Sequence, residues 1–193
     1  GLGDVYKRQV INNSKKQTHK GKTILGFAFG TIKLFDYRNN NKDIEMYPID
    51  YVNYPPNIAK NDNVVSINSC IQIDLMGQVV ADTIGLTQFS GVGGQVDFVR
   101  GATMSKGGRS IIAMPSTTKH DTISKIVPTI TENSAVTTTR NDVNCVVTEY
   151  GIAYLKGRTL KERARALIKV AHPNFRDWLS EEFEKRFHEK AFD

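Results

Sequence analysis

The sequence predicts an α/β fold with strands first and a helical C-terminal end. Three observations predict it. Short apolar, β-branched runs bounded by Gly, Pro and Asn recur between residues 23 and 147. Two helical apolar stripes follow, at 160–170 and 173–183. One further helix, from residue 96, stands among the strands behind a glycine-rich turn.

Taken in order, residues 1–22 are polar and unpatterned. Residues 23–29 read as a short, aromatic-rich buried strand, with Gly30 ending it before a short element at 32–37. Residues 38–43 are a polar turn containing Asn39, Asn40 and Asn41. Residues 46–56 read as loop, with Pro48, Pro55 and Pro56 as breakers. Residues 64–75 read as one long strand, half buried where Ile67, Ser69, Ile71 and Ile73 alternate with polar neighbours. Gly77 supplies the positive φ of a turn, and residues 79–84 return as the second arm of a β-hairpin. Residues 96–104 form a helix, 106–109 a turn, and 110–114 an apolar strand stopped by Pro115. Residues 124–128, 135–139 and 145–147 are further short strands. Thr159 and Glu162 have capping-box spacing for a helix carrying Ala164, Leu167 and Ile168 on one face. Pro173 opens a last helix with Phe175, Trp178, Leu179 and Phe183 at i, i+3, i+4 and i+8.

Composition excludes several classes. The 193 residues hold 15 Gly and 6 Pro, too few for collagen or low-complexity sequence, and 39% apolar residues, too many for disorder. The length suits one domain, or one large piece of a bigger fold. No apolar stretch approaches the ~20 residues of a membrane span, and residues 1–9 lack the apolar region of a signal peptide. Cys70 and Cys145 are too few for a disulfide framework and lie in no CxxC or Cys/His spacing, so a reducing, cytoplasmic setting is the expectation. His19, His120, His172 and His188 have no metal-ligand spacing, and no metal is expected. The net charge is +6, with a cluster at Lys15, Lys16, Lys20 and Lys22. A solvated loop explains that cluster. Nucleic-acid binding would need stacking aromatics between the lysines, and there are none. A small polyanion, such as a nucleotide-bearing cofactor, fits the mild excess equally well.

Three segments carry candidate chemistry. Ser90, Gly91, Gly93, Gly94 and Gln95 form the richest glycine cluster. It is neither GxGxxG nor a P-loop. Its chemistry would lie in backbone N–H groups that approach a ligand closely and face an anion or oxyanion, with a helix dipole behind them. A tight turn required by packing is the plainer alternative. Residues 115–119 put hydroxyls and the Lys119 ammonium at the C-terminal end of a strand, the edge where α/β sheets bind ligands. An ordinary polar loop explains them too, and Ser116 lacks the GxSxG setting of a nucleophile. Glu149, after a buried strand, is either a general base or ligand contact, or a structural hydrogen-bonder.

These segments, taken together, resemble a known family. Asn68-Ser69 through Gly77, Ser90 through Phe98, Met114-Pro115-Ser116-Thr117-Thr118-Lys119, Ile126-Val127-Pro128, Val147-Thr148-Glu149-Tyr150-Gly151, Leu155-Lys156-Gly157 and Ala171-His172-Pro173-Asn174-Phe175 match, in order, the C-terminal domain of the acetyl-CoA hydrolase/transferase family. Within it they are similar to 4-hydroxybutyrate and butyrate-type CoA-transferases. The resemblance runs from about residue 10 to the end.

The resemblance implies an α/β CoA-transferase (NagB/RpiA-like) domain and ping-pong chemistry at a glutamate. It implies coenzyme A as a substrate, an acyl-CoA and a short-chain carboxylic acid as reactants, and a homo-oligomer when the protein is full length. Gly94 matches the oxyanion N–H. Asn68, Ile71, Ser90, Gly91, Gly93, Gly94 and Lys119 match the CoA site. Gln72, Gln95 and Glu149 are substrate contacts or structural residues. The nucleophilic glutamate of the family belongs just upstream of residues 10–16. In this chain residues 1–9 stand there, hold no Glu, and resemble translated adapter sequence. The expectation is therefore a domain at 10–193, non-native residues at 1–9, an absent N-terminal domain and an inactive fragment. Hydrolysis of acyl-CoA by the same family, and a non-catalytic CoA-binding module, are the rival functions.

Overall fold

The structure is a computed structural model and describes residues 13–192. The expectations for residues 1–9 lie outside the described residues. β1 (Thr23–Leu25) pairs in parallel with β2 (Ile44–Met46), and α1 (Ile32–Arg38) connects them. Residues 23–29 are thus not one buried strand. Pairing stops after Tyr47 donates to Leu25 O, because Ile49, whose N–H would make the next ladder bond, begins a helical turn instead. Phe27 and Phe29 are left 72% and 93% exposed. The expected loop at 46–56 holds two single-turn helices, α2 (Ile49–Val52) and α3 (Pro55–Ile58). Pro48 is the N-cap of α2 and Pro55 the first residue of α3, so these prolines start helices instead of breaking a loop.

The long strand expected at 64–75 is two strands in different sheets, β3 (Val65–Asn68) and β4 (Gln72–Asp74). The chain bends at Ser69–Ile71 and turns Cys70 into the core. The polar–apolar alternation continues across the bend, but Ile67 is exposed while Ile73 is fully buried. The hairpin is present. β4 pairs antiparallel with β5 (Val79–Val80) around Gly77 at φ +89. The Asp74 carboxylate fixes the turn by accepting from the N–H groups of Met76 (2.9 Å) and Gln78 (2.8 Å). The return arm then splits, and β6 (Thr83–Ile84) pairs with β7 (Thr87–Gln88).

α4 (Gln95–Met104) follows, then β8 (Arg109–Ala113). β9 (Thr117–Thr118) and β10 (Ile123–Ser124) make a small hairpin, and β11 (Ile126–Val127) pairs in parallel with β4. The strand expected at 135–139 is reduced to a bridge between Val79 and Thr138. β12 (Cys145–Thr148) and β13 (Gly151–Tyr154) are a hairpin, and α5 (Leu160–Lys169) and α6 (Pro173–Phe187) close the fold. The helical starts are as the sequence predicts. Thr159 and Glu162 form a reciprocal capping box, and Pro173 is the first residue of α6.

The main sheet has the order β13-β12-β8-β3, with β3, β8 and β12 parallel. Its buried residues Ile112, Val146 and Ala153 share one core with Leu167 and Ile168 of α5, Leu179 and Phe183 of α6, and Ile73, Val79 and Ile126 of the smaller sheet. α4 packs on β3 and β8 and enters β8 through the short turn 105–108. It therefore runs antiparallel to both strands. Its N-terminus lies at the edge of the sheet where they end. Among the described residues no helix is long and apolar enough to cross a membrane.

Candidate functional site

Because β3, β8 and β12 are parallel, the chain leaves all three at one edge, where open α/β sheets form ligand crevices. Asn68 is the last residue of β3 and pairs with Ile112 of β8. It is half-buried and donates from Nδ2 to Ser66 Oγ at 2.8 Å. β8 runs out into Pro115 and Ser116, and β12 into Glu149. These two exits are tied together. Glu149 Oε2 accepts from the Ser116 N–H at 2.9 Å and Oε1 from the Ser116 hydroxyl at 2.5 Å. Glu149 itself stays exposed, while Ser116, fully buried, is anchored and not presented as a nucleophile.

Partial burial pushes the Glu149 carboxyl up, but the hydrogen bonds from the Ser116 hydroxyl and from the backbone N–H groups of Glu149 and Ser116 outweigh it, with His172 adding. The net shift is downward. A carboxyl held below its unfolded value stabilises the fold above that value, and the contribution fades as pH falls through the folded one. Protection of the Ser116 amide from hydrogen exchange is therefore expected to be constant from pH 7 down to the ordinary carboxylate range near about 4 and to fall below it. Amide exchange measured against pH checks this. Unchanged protection at acid pH would show that the backbone alone holds the loop.

The glycine cluster meets the same edge. Gly94 is the N-cap of α4, and its carbonyl accepts from Phe98 N–H at 3.0 Å. Among the described residues the N–H groups of Gly94 and Gln95 donate to no protein acceptor, as expected for the first turn of a helix. The two adjacent glycines differ in kind. Gly93 is left-handed at φ +63, with open space where a Cβ would sit. Gly94 is at φ −90, which any residue adopts, but a Cβ there would lie 2.8 Å from Asn53 Nδ2. So Gly93 serves the turn and Gly94 serves close approach. Gly91 and Ser90 are exposed, with Ser90 Oγ donating to Gly91 O at 3.0 Å. A pocket of about 530 Å³ opens beside Gly93 and Gly94, lined also by Phe27, Asn53, Tyr54 and Asp97. Sequence reasoning missed Asn53 and Tyr54. They sit between two single-turn helices, where no periodicity marks them.

The remaining residues are dispersed. Gln95 Nε2 donates to Thr138 Oγ1 at 3.0 Å and ties the start of α4 to the bridge segment. Gln72 is buried, and its Oε1 accepts from both the N–H and the hydroxyl of Thr131, at 3.0 and 3.1 Å. Ile71 is half-buried and donates its N–H to Val80 O. Lys119 is exposed in the β9–β10 loop and does not line the Gly94 pocket. Its loop is unusual. Lys119, His120 and Asp121 all have φ between +50 and +63, a strained run for residues with side chains. The Thr122 hydroxyl donates to Lys119 O at 2.8 Å, and the Thr117 hydroxyl donates to Asp121.

Of the basic cluster, Lys16 Nζ donates to Lys22 O and Lys22 Nζ to Lys42 O, as in an ordinary loop. Both cysteines are buried free thiols, and burial pushes Cys70 up to about 12, which removes it as a nucleophile. Among the described residues no group of three or more His, Cys, Asp or Glu could hold a metal ion.

A profile of the acetyl-CoA hydrolase/transferase C-terminal domain matches residues 30–183. The chain belongs to that family. Relatives at 37–59% identity are named CoA-transferases, and relatives in Yarrowia lipolytica and Candida albicans at 36% and 32% identity are named acetyl-CoA hydrolases. It is 59% identical over 187 residues to the 4-hydroxybutyrate coenzyme A transferase of Clostridium kluyveri, which covers 97% of this chain and 44% of that protein. The crystal structure of RipA from Yersinia pestis superposes with a TM-score of 0.89 at 46% identity, over 97% of this chain and 42% of that one. The 4-hydroxybutyrate CoA-transferase of Porphyromonas gingivalis gives 0.81 at 48% identity, over 96% and 43%. The chain therefore spans less than half the length of these proteins.

Proposed function

We propose that this chain is the C-terminal half of a CoA-transferase that moves CoA between a short-chain acyl-CoA and a carboxylate such as acetate or 4-hydroxybutyrate. The observation that carries the reading is the unpartnered N–H of Gly94 at the N-terminus of α4, set at the same sheet edge as Asn68 and the Ser116–Glu149 clamp. In the reaction a glutamate carboxylate attacks the acyl-CoA carbonyl and releases CoA thiolate, leaving an acyl-glutamyl anhydride. The thiolate attacks the glutamyl carbonyl, releasing the free acid and forming a glutamyl-CoA thioester. The acceptor carboxylate then displaces CoA thiolate to give a new anhydride. The thiolate attacks its acyl carbonyl and frees the glutamate.

The upstream region supplies that glutamate, with the N-terminal domain. Each addition places negative charge on a carbonyl oxygen, which the Gly94 N–H and the α4 dipole stabilise. Asn68, Ile71, Ser90, Gly91 and Gly93 line the CoA path, and Lys119 meets its phosphates. The protein works as a cytoplasmic homo-oligomer, without a metal, a membrane or a nucleic acid.

The test joins the chain to the upstream region of the Clostridium kluyveri relative and assays acetyl-CoA with 4-hydroxybutyrate. CoA transfer is expected from the joined protein and none from the 193-residue chain alone. Release of free CoA without transfer would establish the hydrolase instead, and binding without turnover the non-catalytic module. In the joined protein Lys119→Ala is expected to raise KM for the CoA ester roughly tenfold with kcat nearly unchanged, because a contact made equally in the ground and transition states is lost. Steady-state kinetics check it. An unchanged KM would return Lys119 to a surface turn.

A further inference from the structure

Parallel sheets occur with helices over both faces, because their crossovers lie on each side. In the main sheet one face is covered and the other is open. The strand register aligns Ile67, Ile111, Cys145 and Tyr154 in a row across all four strands. Residues two positions along each strand share their face, which adds Val65, Val147 and Ile152. On the two outer strands Val65, Ile67, Ile152 and Tyr154 are 54%, 68%, 53% and 61% exposed, while between them Ile111 and Val147 are half-buried and the small Cys145 is buried. On the opposite face Ser66, Ile112, Val146 and Ala153 are all buried. Arg109 is the only charged side chain that the four strands place on the open face. The rim agrees with the face. β3 is the outermost strand, and its residues carry no charge and no proline, the devices that normally blunt an exposed edge. A contiguous apolar surface of this kind marks an interface.

We propose that this face is the seat of the upstream part of the same polypeptide in the longer enzyme, which lays an apolar helical layer across Ile67, Ile111 and Tyr154. The family match is to a C-terminal domain, and more than half of the Clostridium kluyveri protein is not matched by this chain, so chain to cover the face is available on the upstream side. The near absence of charge on the face fits a permanent, dry contact within one protein better than an exchangeable ionic partner. The inference rests on family membership and not on the reaction proposed above, so a failed transfer assay leaves it standing.

The test is a footprint. On a Cys145→Ser background, which removes the thiol paired with position 154, Tyr154→Cys is made in the 193-residue chain and in the same chain joined to the Clostridium kluyveri upstream region, with Glu181→Cys, exposed on α6, as the control in both. Thermal unfolding confirms that each protein is folded, and maleimide labelling is followed against the Cys145→Ser background. Labelling at 154 is expected to slow at least tenfold in the joined protein, with labelling at 181 unchanged. Ile67→Lys is expected to leave the melting temperature of the isolated chain nearly unchanged and to lower that of the joined protein. Equal labelling at 154 in both proteins would overturn the proposal. So would a dimer of the isolated chain, seen by size-exclusion chromatography, that Ile67→Lys dissolves, since the occupant would then be a second copy.

Discussion

Gly94→Ala, in the protein completed by its upstream region, is expected to lower kcat by about two orders of magnitude, the usual effect of losing one oxyanion donor. The backbone is not the reason. At φ −90 alanine adopts the same conformation without strain, so the helix start survives and the melting temperature should change little. The added methyl group is the reason. It would project to 2.8 Å from Asn53 Nδ2 and 3.3 Å from the Phe98 ring, so it crowds the pocket wall beside the N–H and is expected to hold an approaching thioester carbonyl away from that donor. The hydrogen bond it displaces strengthens only as charge builds on the oxygen, so the loss falls on kcat more than on KM. Gly93→Ala is the counter-experiment. Gly93 is left-handed at φ +63 with nothing near its missing Cβ, so alanine there costs about 1–2 kcal/mol of stability and leaves the donor in place. Single-turnover formation of the enzyme–CoA thioester separates the two. A normal rate for Gly94→Ala would sink the oxyanion assignment. Recovery of the rate on adding Asn53→Ala would show that crowding of the wall, and not loss of the donor, was the cause.

What was legible in the sequence was local chemistry. The capping box at Thr159, the proline start of α6, the glycine turn before α4 and the hairpin around Gly77 each depend on a few adjacent residues, and each is present. What was not legible depends on partners distant in sequence. The alternation through Ile67 and Ile71 gives no sign that the chain leaves one sheet for another between Asn68 and Gln72, because both halves keep a strand-like period. Phe27 and Phe29 read as buried because they are apolar, yet the partner strand gives way to α2 at Ile49 and leaves them outside.

The site divides in the same way. Gly94 and Glu149 were visible as motif residues, whereas the neighbours that surround them lie 41 and 33 positions away, at Asn53 and Ser116. Gln72 lies inside a matching segment, and the bonds its carbonyl oxygen accepts from Thr131, 59 positions on, were equally invisible in the sequence.

Phe183→Ala should be the most damaging of the core truncations, at about 3–5 kcal/mol. Phe183 is fully buried on α6, with the Phe187 ring 4.7 Å away and the Arg165 guanidinium 4.9 Å over its face. It belongs to the cluster that joins both C-terminal helices to the main sheet and the smaller one, so neighbours on several elements would have to move together to fill the void. Arg165 keeps its bonds to Ala191 O and Glu189, which holds the cavity wall open instead of letting it collapse. For a chain of this size each kcal/mol corresponds to about 2–4 °C, so the melting temperature should fall by roughly 10 °C or more. Phe183→Leu, which retains most of the volume, should lose less than half as much. Trp178→Ala on the same helix, 40% exposed, should cost well under Phe183→Ala although it deletes a larger side chain. Urea denaturation of the three variants gives the order directly. The ring neighbours of Phe183 are Phe187 and Arg165, far along the chain from Gly94 and from the Ser116–Glu149 clamp, so in the completed protein turnover per folded molecule should be unchanged. A Phe183→Ala protein of normal stability would mean that α6 is not held by this core, and the packing described for the C-terminal helices would have to be abandoned.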